Sequence, residues 1–393
     1  MADKREFASS NLGGGTGRDK SVDILKGIAM ILIVTGHAYT PHRDWIYLFH
    51  VAVFFMASGY CWHKEIHTAN EWLRYVTRKV KELYIPYLIY NGIYVLATNI
   101  FIKLNVYTND TEFLALTEGR AFPQKLTEFN SLKDAALMLL KTALLKYRPE
   151  MGGATWFVSI LMLILVIHST FELLIWKLGH GNRFARRILY GILFAALLVF
   201  PELSFTRRLL MHWEFVRLPY PYAAFLLGMI LRFLEKKIDK GKVYNVIIGA
   251  VTFTGLCLMY RGGVRIEISS GEIQNPFVFL IASLFGWVFL LSASKFILAR
   301  RINILASCLT YIGTHTVPIL YLHFLAFKLA SLIVINAESL PVYMLASFPV
   351  VFTASGMYKA LYVVSGVGVP LLLNSVMFIA KEKLLISRRF KPV

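Results

Sequence analysis

The stretch Asp23-Ile-Leu-Lys-Gly-Ile-Ala-Met-Ile-Leu-Ile-Val-Thr-Gly-His37 decides how the rest of the chain is read. It is apolar throughout, yet it carries a carboxylate and a cation at one end and an imidazole at the other. Ionisable side chains are costly in hydrocarbon, so those inside a membrane-length helix are functional candidates. On a helix, Lys26 and His37 fall on one face, about 16 Å apart along the axis. Asp23 lies about 40° to the side of His37. One polar stripe therefore runs along an otherwise apolar helix, and the segments around it read as the membrane body that encloses it.

Composition agrees. Of 393 residues, 57% are hydrophobic and 17% charged, with a mean hydropathy of +0.58, whereas soluble domains carry about 25% charged residues. Apolar runs of spanning length recur without strand-like alternation, so the fold class is all-α, a polytopic transmembrane helical bundle. Ten spans are expected, near 22–39, 46–62, 84–104, 154–176, 188–203, 216–234, 243–260, 276–298, 309–335 and 365–380. Residues 1–19 read as a flexible cytoplasmic tail, and 20–390 as a single transmembrane domain. Residues 105–151 form the longest connection, with an amphipathic helix over Leu132–Leu145 at the interface and a formal glycosylation sequon, Asn109-Asp-Thr111, best read as a chance match. Residues 341–364 are apolar but interrupted by Pro341, Pro349, Gly356 and Lys359, and three paths stay open: spanning, re-entering or lying on the surface.

The net charge of +19 sits in short loops. Lys64, Arg74, Arg78, Lys79 and Lys81 follow the second span, and Arg232, Lys236, Lys237, Lys240 and Lys242 follow the sixth. Such charges set topology, here N-in and C-in with 341–364 uncrossed, and they imply a lipid bilayer rather than nucleic acid as the partner. Cys61, Cys257 and Cys308 have neither disulfide nor zinc spacing. The string around Gly13–Lys20 lacks the glycine and the preceding strand of a phosphate loop. His63 and His67 are i,i+4 but do not form His-Glu-x-x-His, so no metal is expected.

Span two supplies Phe49-His50-Val-Ala-Val-Phe54-Phe55-Met-Ala-Ser58-Gly59-Tyr60, returned beside span one by a short turn. Span nine supplies Tyr311-Ile-Gly-Thr-His315-Thr-Val-Pro318-Ile-Leu-Tyr321-Leu-His323. Several histidines at membrane depth, together with Lys26, exceed what packing requires, although any one alone is as readily structural.

These blocks resemble the acyltransferase-3 family of membrane O-acyltransferases. Asp23-Ile-x-Lys26-Gly27 through Gly36-His37, then Phe49-His50 through Ser58-Gly59-Tyr60, are similar to its opening motifs, and the Lys-Gly form resembles the fucose 4-O-acetylase-like branch. Ile85-Pro86-Tyr87, Trp156-Phe157 and Tyr311 through His323 fit in the same order. The resemblance implies acyl transfer from cytoplasmic acetyl-CoA to a hydroxyl of an extracytoplasmic sugar or polysaccharide, with the cation and the histidine of span one as the essential pair. His37 is then the general base, since imidazole titrates near neutrality. His50 and Asp23 complete the catalytic set. Lys26, Gly27 and Ser58 are expected on the cofactor side, and Trp156, Tyr321 and His323 on the substrate side. Members often carry Asn where His315 stands. The competing reading is a proton-coupled transporter using the same ionisable residues. The two halves show no matching motif, whereas many transporters have internal repeats. The oligomeric state is not written in the sequence.

Overall fold

In the computed structural model, residues 19–110, 112–113, 128–179, 182–203, 215–238, 241–269 and 272–389 are described. The expected tail over 1–19 falls outside them except for Asp19, as does Thr111 of the sequon.

Asp19 opens the first helix, α1 (Lys20–His37), by accepting the Ser21 backbone N–H at 2.8 Å, which satisfies one of the orphan donors of the first turn. A short helix, α2 (Arg43–Tyr47), and α3 (His50–Tyr60) follow. Thr68 and Glu71 form a capping box that starts α4 (Ala69–Lys79), an amphipathic helix. A π-helical turn over Val80–Tyr84 leads to α5 (Ile85–Leu96) and α6 (Thr98–Lys103). The expected third span is thus divided at Ala97. The amphipathic helix expected over Leu132–Leu145 is α7 (Leu132–Ala143), capped by Ser131.

A 3-10 segment, Glu150–Thr155, runs into α8 (Trp156–Gly179). Helices α9 (Arg183–Val199), α10 (Pro219–Ile238) and α11 (Lys242–Arg261) follow. A two-stranded hairpin, Ile266–Glu267 with Glu272–Ile273, interrupts the polar loop before α12 (Pro276–Ala299). The expected ninth span is two helices, α13 (Asn303–Thr314) and α14 (Thr316–Ala337), joined at His315. Pro318 supplies the reason, because it has no N–H for the Thr314 carbonyl four residues earlier. After 3-10 turns over Val342–Ala346 and Gly356–Tyr358, α15 (Lys359–Arg389) closes the chain and starts before the expected boundary.

Five stretches among the described residues are long and apolar enough to cross a membrane: Glu150–Leu178, Val243–Arg261, Pro276–Ala299, Thr316–Ala337 and Gly356–Ala380. Other expected spans fall short for visible reasons. Lys20, Asp23 and Lys26 all lie in α1, and α3 has only 11 residues. Two of the five, α11 and α15, turn apolar side chains such as Val246, Val251, Leu372 and Val376 outward, as lipid-facing helices do. By contrast, α8 and α14 are largely buried.

Helix α1 sits at the centre, packed against α3, α12, α13, α14 and α15. Its crossing with α13 is a backbone contact. A Cβ on Gly27 would stand 2.1 Å from the Leu309 carbonyl oxygen, and one on Gly313 would stand 1.9 Å from that of Asp23. Further along, His37 meets His323. The contacts advance together along both chains, so α13–α14 runs parallel to α1. Helices α3 and α10 form a second such pair, in which Gly59 meets Phe225 and Gly228 meets Met56 backbone-to-backbone.

Residues 341–358 make no long helix. They fold against the bundle, held by the buried Lys328 of α14, whose Nζ donates to the carbonyls of Leu345 (2.9 Å) and Ser347 (2.8 Å). Glu150, also buried, is the opposite charge acting on Lys328.

Candidate active site

The polar stripe of α1 faces the bundle interior, as its sequence requires. Asp23 is buried and pairs with Lys26 Nζ at 2.9 Å, one turn on. The carboxylate thereby keeps the ammonium oriented.

Lys26 lines a cavity of about 350 Å³. Lys64, Arg78 and Lys79 stand on its rim with Lys26, and Tyr75 lies among them. Nζ of Lys64 and of Lys79 lies 5.8 and 5.9 Å from the centre of the Tyr75 ring, and Cζ of Arg78 lies at 5.6 Å. Burial, then the charges of Arg78 and Lys79, hold the Lys64 ammonium below the usual lysine range. Such a cluster favours a polyanion, which relieves the mutual repulsion. Deeper, the wall is apolar: Met30, Phe54, Phe157, Leu161 and Leu320. Ser58 also lines the cavity, but its hydroxyl donates to the Phe54 carbonyl at 3.0 Å. Gly27 has a different use: it permits the α1–α13 crossing.

Met30 and Leu320 mark how far the cavity reaches along α1 and α14, and beyond them come the histidines. His37 stacks on His323 with centroids 5.4 Å apart and meets Phe324 edge-on at 5.0 Å. Its third neighbour is Tyr47, edge-on at 6.4 Å, which itself stacks on His50 at 4.7 Å. Gly36 makes room for Tyr47, since a Cβ there would stand 2.7 Å from that ring. Arg43 hydrogen-bonds the Tyr47 phenol and lies over its ring, 4.7 Å from the centroid.

Two of the three imidazoles have fixed tautomers. His50 Nδ1 donates to the Ile46 carbonyl at 2.9 Å, and His323 Nδ1 donates to that of Ile319 at 2.9 Å. A carbonyl only accepts, so each Nδ1 carries the proton, and in the neutral ring each Nε2 presents a lone pair. Nε2 of His323 is buried with no hydrogen-bond partner among the described residues. His37 makes ring contacts but no hydrogen bond among the described residues, which leaves its nitrogens available to a substrate. The arrangement can take a proton from a bound hydroxyl and hold it within a cage of aromatic rings.

The other expected site residues are dispersed. Trp156 is buried at the head of α8, with Arg217 Cζ 6.0 Å from its ring centre. Tyr321 packs away from the histidines: it stacks on Tyr90 at 4.5 Å, and its carbonyl accepts from the Tyr94 hydroxyl at 2.8 Å. Two residues along a helix turn about 200°, so Tyr321 and His323 leave α14 on opposite sides. His315 is half-buried at the bend, bonded to the Tyr311 carbonyl at 2.9 Å. His63 Nδ1 donates to the Cys61 carbonyl, and His67 stacks on Trp176. Among the described residues no group of three or more His, Cys, Asp or Glu is arranged to hold a metal ion.

Sequence reasoning missed Tyr47, Phe324 and the cationic rim. The rim had a signal: Tyr75, Arg78 and Lys79 follow an i, i+3, i+4 pattern that puts them on one face of α4. Tyr47 and Phe324 had none beyond their closeness to His50 and His323.

Neither a curated relative nor a solved structure matches the chain. A family model described as an acyltransferase domain matches residues 19–359, most of the chain. A membrane-helical body built round the Lys26–His37 helix is what that match covers, and the chain belongs to the acyltransferase-3 family.

Proposed function

We propose that the protein is a membrane O-acetyltransferase of the fucose 4-O-acetylase-like branch. It moves an acetyl group from cytoplasmic acetyl-CoA to a hydroxyl of an extracytoplasmic sugar or polysaccharide, such as a capsule or exopolysaccharide. The observation that carries this reading is the division of labour along α1: a cation-rimmed cavity at the Lys26 end and an imidazole cluster at the His37 end. Lys26, Lys64, Arg78 and Lys79 suit the phosphates of coenzyme A, and the apolar wall suits its pantetheine arm. The thioester then reaches toward His37 while the acceptor approaches from the other side.

The reaction needs no covalent enzyme intermediate. His37 removes the acceptor hydroxyl proton as the oxygen attacks the thioester carbonyl. The C–S bond breaks, and the proton leaves on the coenzyme A thiol. His50 and His323, proton-bearing at Nδ1, surround the base. The proposed topology is ten spans with both termini inside, in the cell membrane. The positive-inside distribution of Lys and Arg supports it.

The test is mass spectrometry of surface glycans from cells with and without the gene. Loss of acetyl groups on deletion is expected. Unchanged glycans together with altered proton flux in vesicles would favour the transporter instead.

A further inference from the structure

Residues 61–68 connect α3 to α4, and four of them, Cys61, Trp62, His63 and Lys64, line the donor cavity. A loop of this kind would ordinarily be mobile. This one is gripped from outside the cavity at several points. Arg232 of α10 donates from Nη1 to the carbonyls of Tyr60 (3.3 Å) and Trp62 (3.2 Å). Arg186 of α9 bonds Glu65 Oε1 through Nη1 at 2.7 Å. Its Nη2 bonds Glu172 Oε1 of α8 at 2.9 Å. Glu172 is buried and also accepts from the Tyr190 hydroxyl. The His67 ring stacks on Trp176 at 3.7 Å, and Glu71 accepts the His67 backbone N–H at 2.9 Å.

Arg186 is thus a fork with one tine in a buried carboxylate and the other on a carboxylate at the loop's surface. The buried tine fixes the guanidinium, so the exposed one transmits that position to the residue next to Lys64. The Arg186 hydrogen bond also holds the Glu65 carboxyl below its usual range. None of Arg186, Glu172 or Glu65 lines the cavity.

We propose that Arg186, through Glu65, is a positioning residue for the acyl donor: it clamps the 61–68 loop so that Lys64 and His63 meet the donor's phosphates. This rests on the coenzyme A reading above. Unclamping the loop weakens donor binding without touching the chemistry at His37.

The experiment uses full-length protein purified in detergent, with Cys257→Ser and Cys308→Ser leaving Cys61 for a nitroxide label. Glu65→Gln is the principal variant, because it leaves Arg186 paired with Glu172 and keeps the fold. Arg186→Ala and Arg186→Lys accompany it. The readouts are label mobility, the dissociation constant of unlabelled protein for coenzyme A by calorimetry, and the steady-state kinetics with acetyl-CoA. In Glu65→Gln the label is expected to become more mobile and coenzyme A to bind about three- to fivefold more weakly, the upper part of the range an exposed ion pair commands. Arg186→Ala exceeds this, and Arg186→Lys recovers part of it. The KM for acetyl-CoA should rise with kcat unchanged. Unchanged mobility and binding in Glu65→Gln would overturn the proposal. Greater mobility with unchanged binding would overturn it too, reducing the clamp to a structural contact. If the wild-type protein binds no coenzyme A, the donor reading itself falls, and the proposal with it.

Discussion

The imidazole of His37 lies nearly parallel to that of His323, with ring centroids 5.4 Å apart and planes 26° from each other. The pair joins the C-terminal end of α1 to the middle of α14. It exists because α13–α14 runs parallel to α1 from the Gly27–Gly313 crossing onward. His323 Nε2 has no hydrogen-bond partner among the described residues, so both rings have a nitrogen to offer substrate. In the proposed reaction their weights differ, with His37 as the base and His323 in support.

His323→Phe keeps the stack and removes the nitrogen, whereas His323→Ala removes both. The Phe variant is expected to retain measurable transfer with a reduced rate. The Ala variant should lose more, because His37 gains rotamer freedom. Rates on acetyl-CoA with native acceptor glycan check this order, and equal loss in both variants would assign the nitrogen itself the larger part.

Coulomb attraction at the cavity rim should show as salt dependence. Replacing Arg78 and Lys79 together by Ala is expected to weaken coenzyme A binding by about tenfold or more at low ionic strength. The difference should shrink at high salt, since screened charges act over about 8 Å at physiological strength. Lys26→Ala should weaken donor binding more than acceptor binding. Calorimetry across a salt series reads both; a salt-independent loss would point to collapse of the cavity instead.

The α1–α13 crossing leaves no room for a side chain. Gly313→Ala places a Cβ within 1.9 Å of the Asp23 carbonyl oxygen, against backbone that cannot rotate away. Overpacking of this kind costs about 1–3 kcal/mol or more. It also displaces Asp23 and, through its ion pair, moves Lys26 off the cavity wall. Thermal unfolding in detergent is expected several degrees lower, with donor affinity falling alongside; normal stability would contradict the crossing.

Lys328 should prove structural. Lys328→Ala frees the carbonyls of Leu345 and Ser347 and leaves Glu150 buried without its opposite charge. Breaking a buried charge arrangement costs about 3–5 kcal/mol. Protease cleavage within 341–355 is expected to accelerate, and the double variant Lys328→Met with Glu150→Gln should recover part of the loss.

Much of the site's frame was legible because hydrocarbon penalises charge. Asp23, Lys26 and His37 stood out for that reason alone, and a period of 3.6 put them on one face. His50 was legible from the short return between spans. Tyr321 stacks on Tyr90 apart from the histidines because two residues along a helix reverse direction. Arg78 and Lys79 looked like ordinary loop charges, and only the fold of α4 against α8, fixed by Trp72 Nε1 donating to Thr170 Oγ1 at 3.0 Å, brings them to the cavity. The break at His315 was written in Pro318, yet an unbroken apolar run hid it. The path of 341–358 depends on Lys328, a long-range contact that no local pattern announces.

The most direct measurement compares surface glycans, by mass spectrometry, from deletion cells complemented with the wild-type gene or with His37→Ala at matched membrane abundance. The account expects wild type to restore O-acetyl groups and His37→Ala to leave them at or below about one-hundredth of that level, the range lost with a general base. O-acetylation restored to the wild-type level by the His37→Ala protein would contradict it.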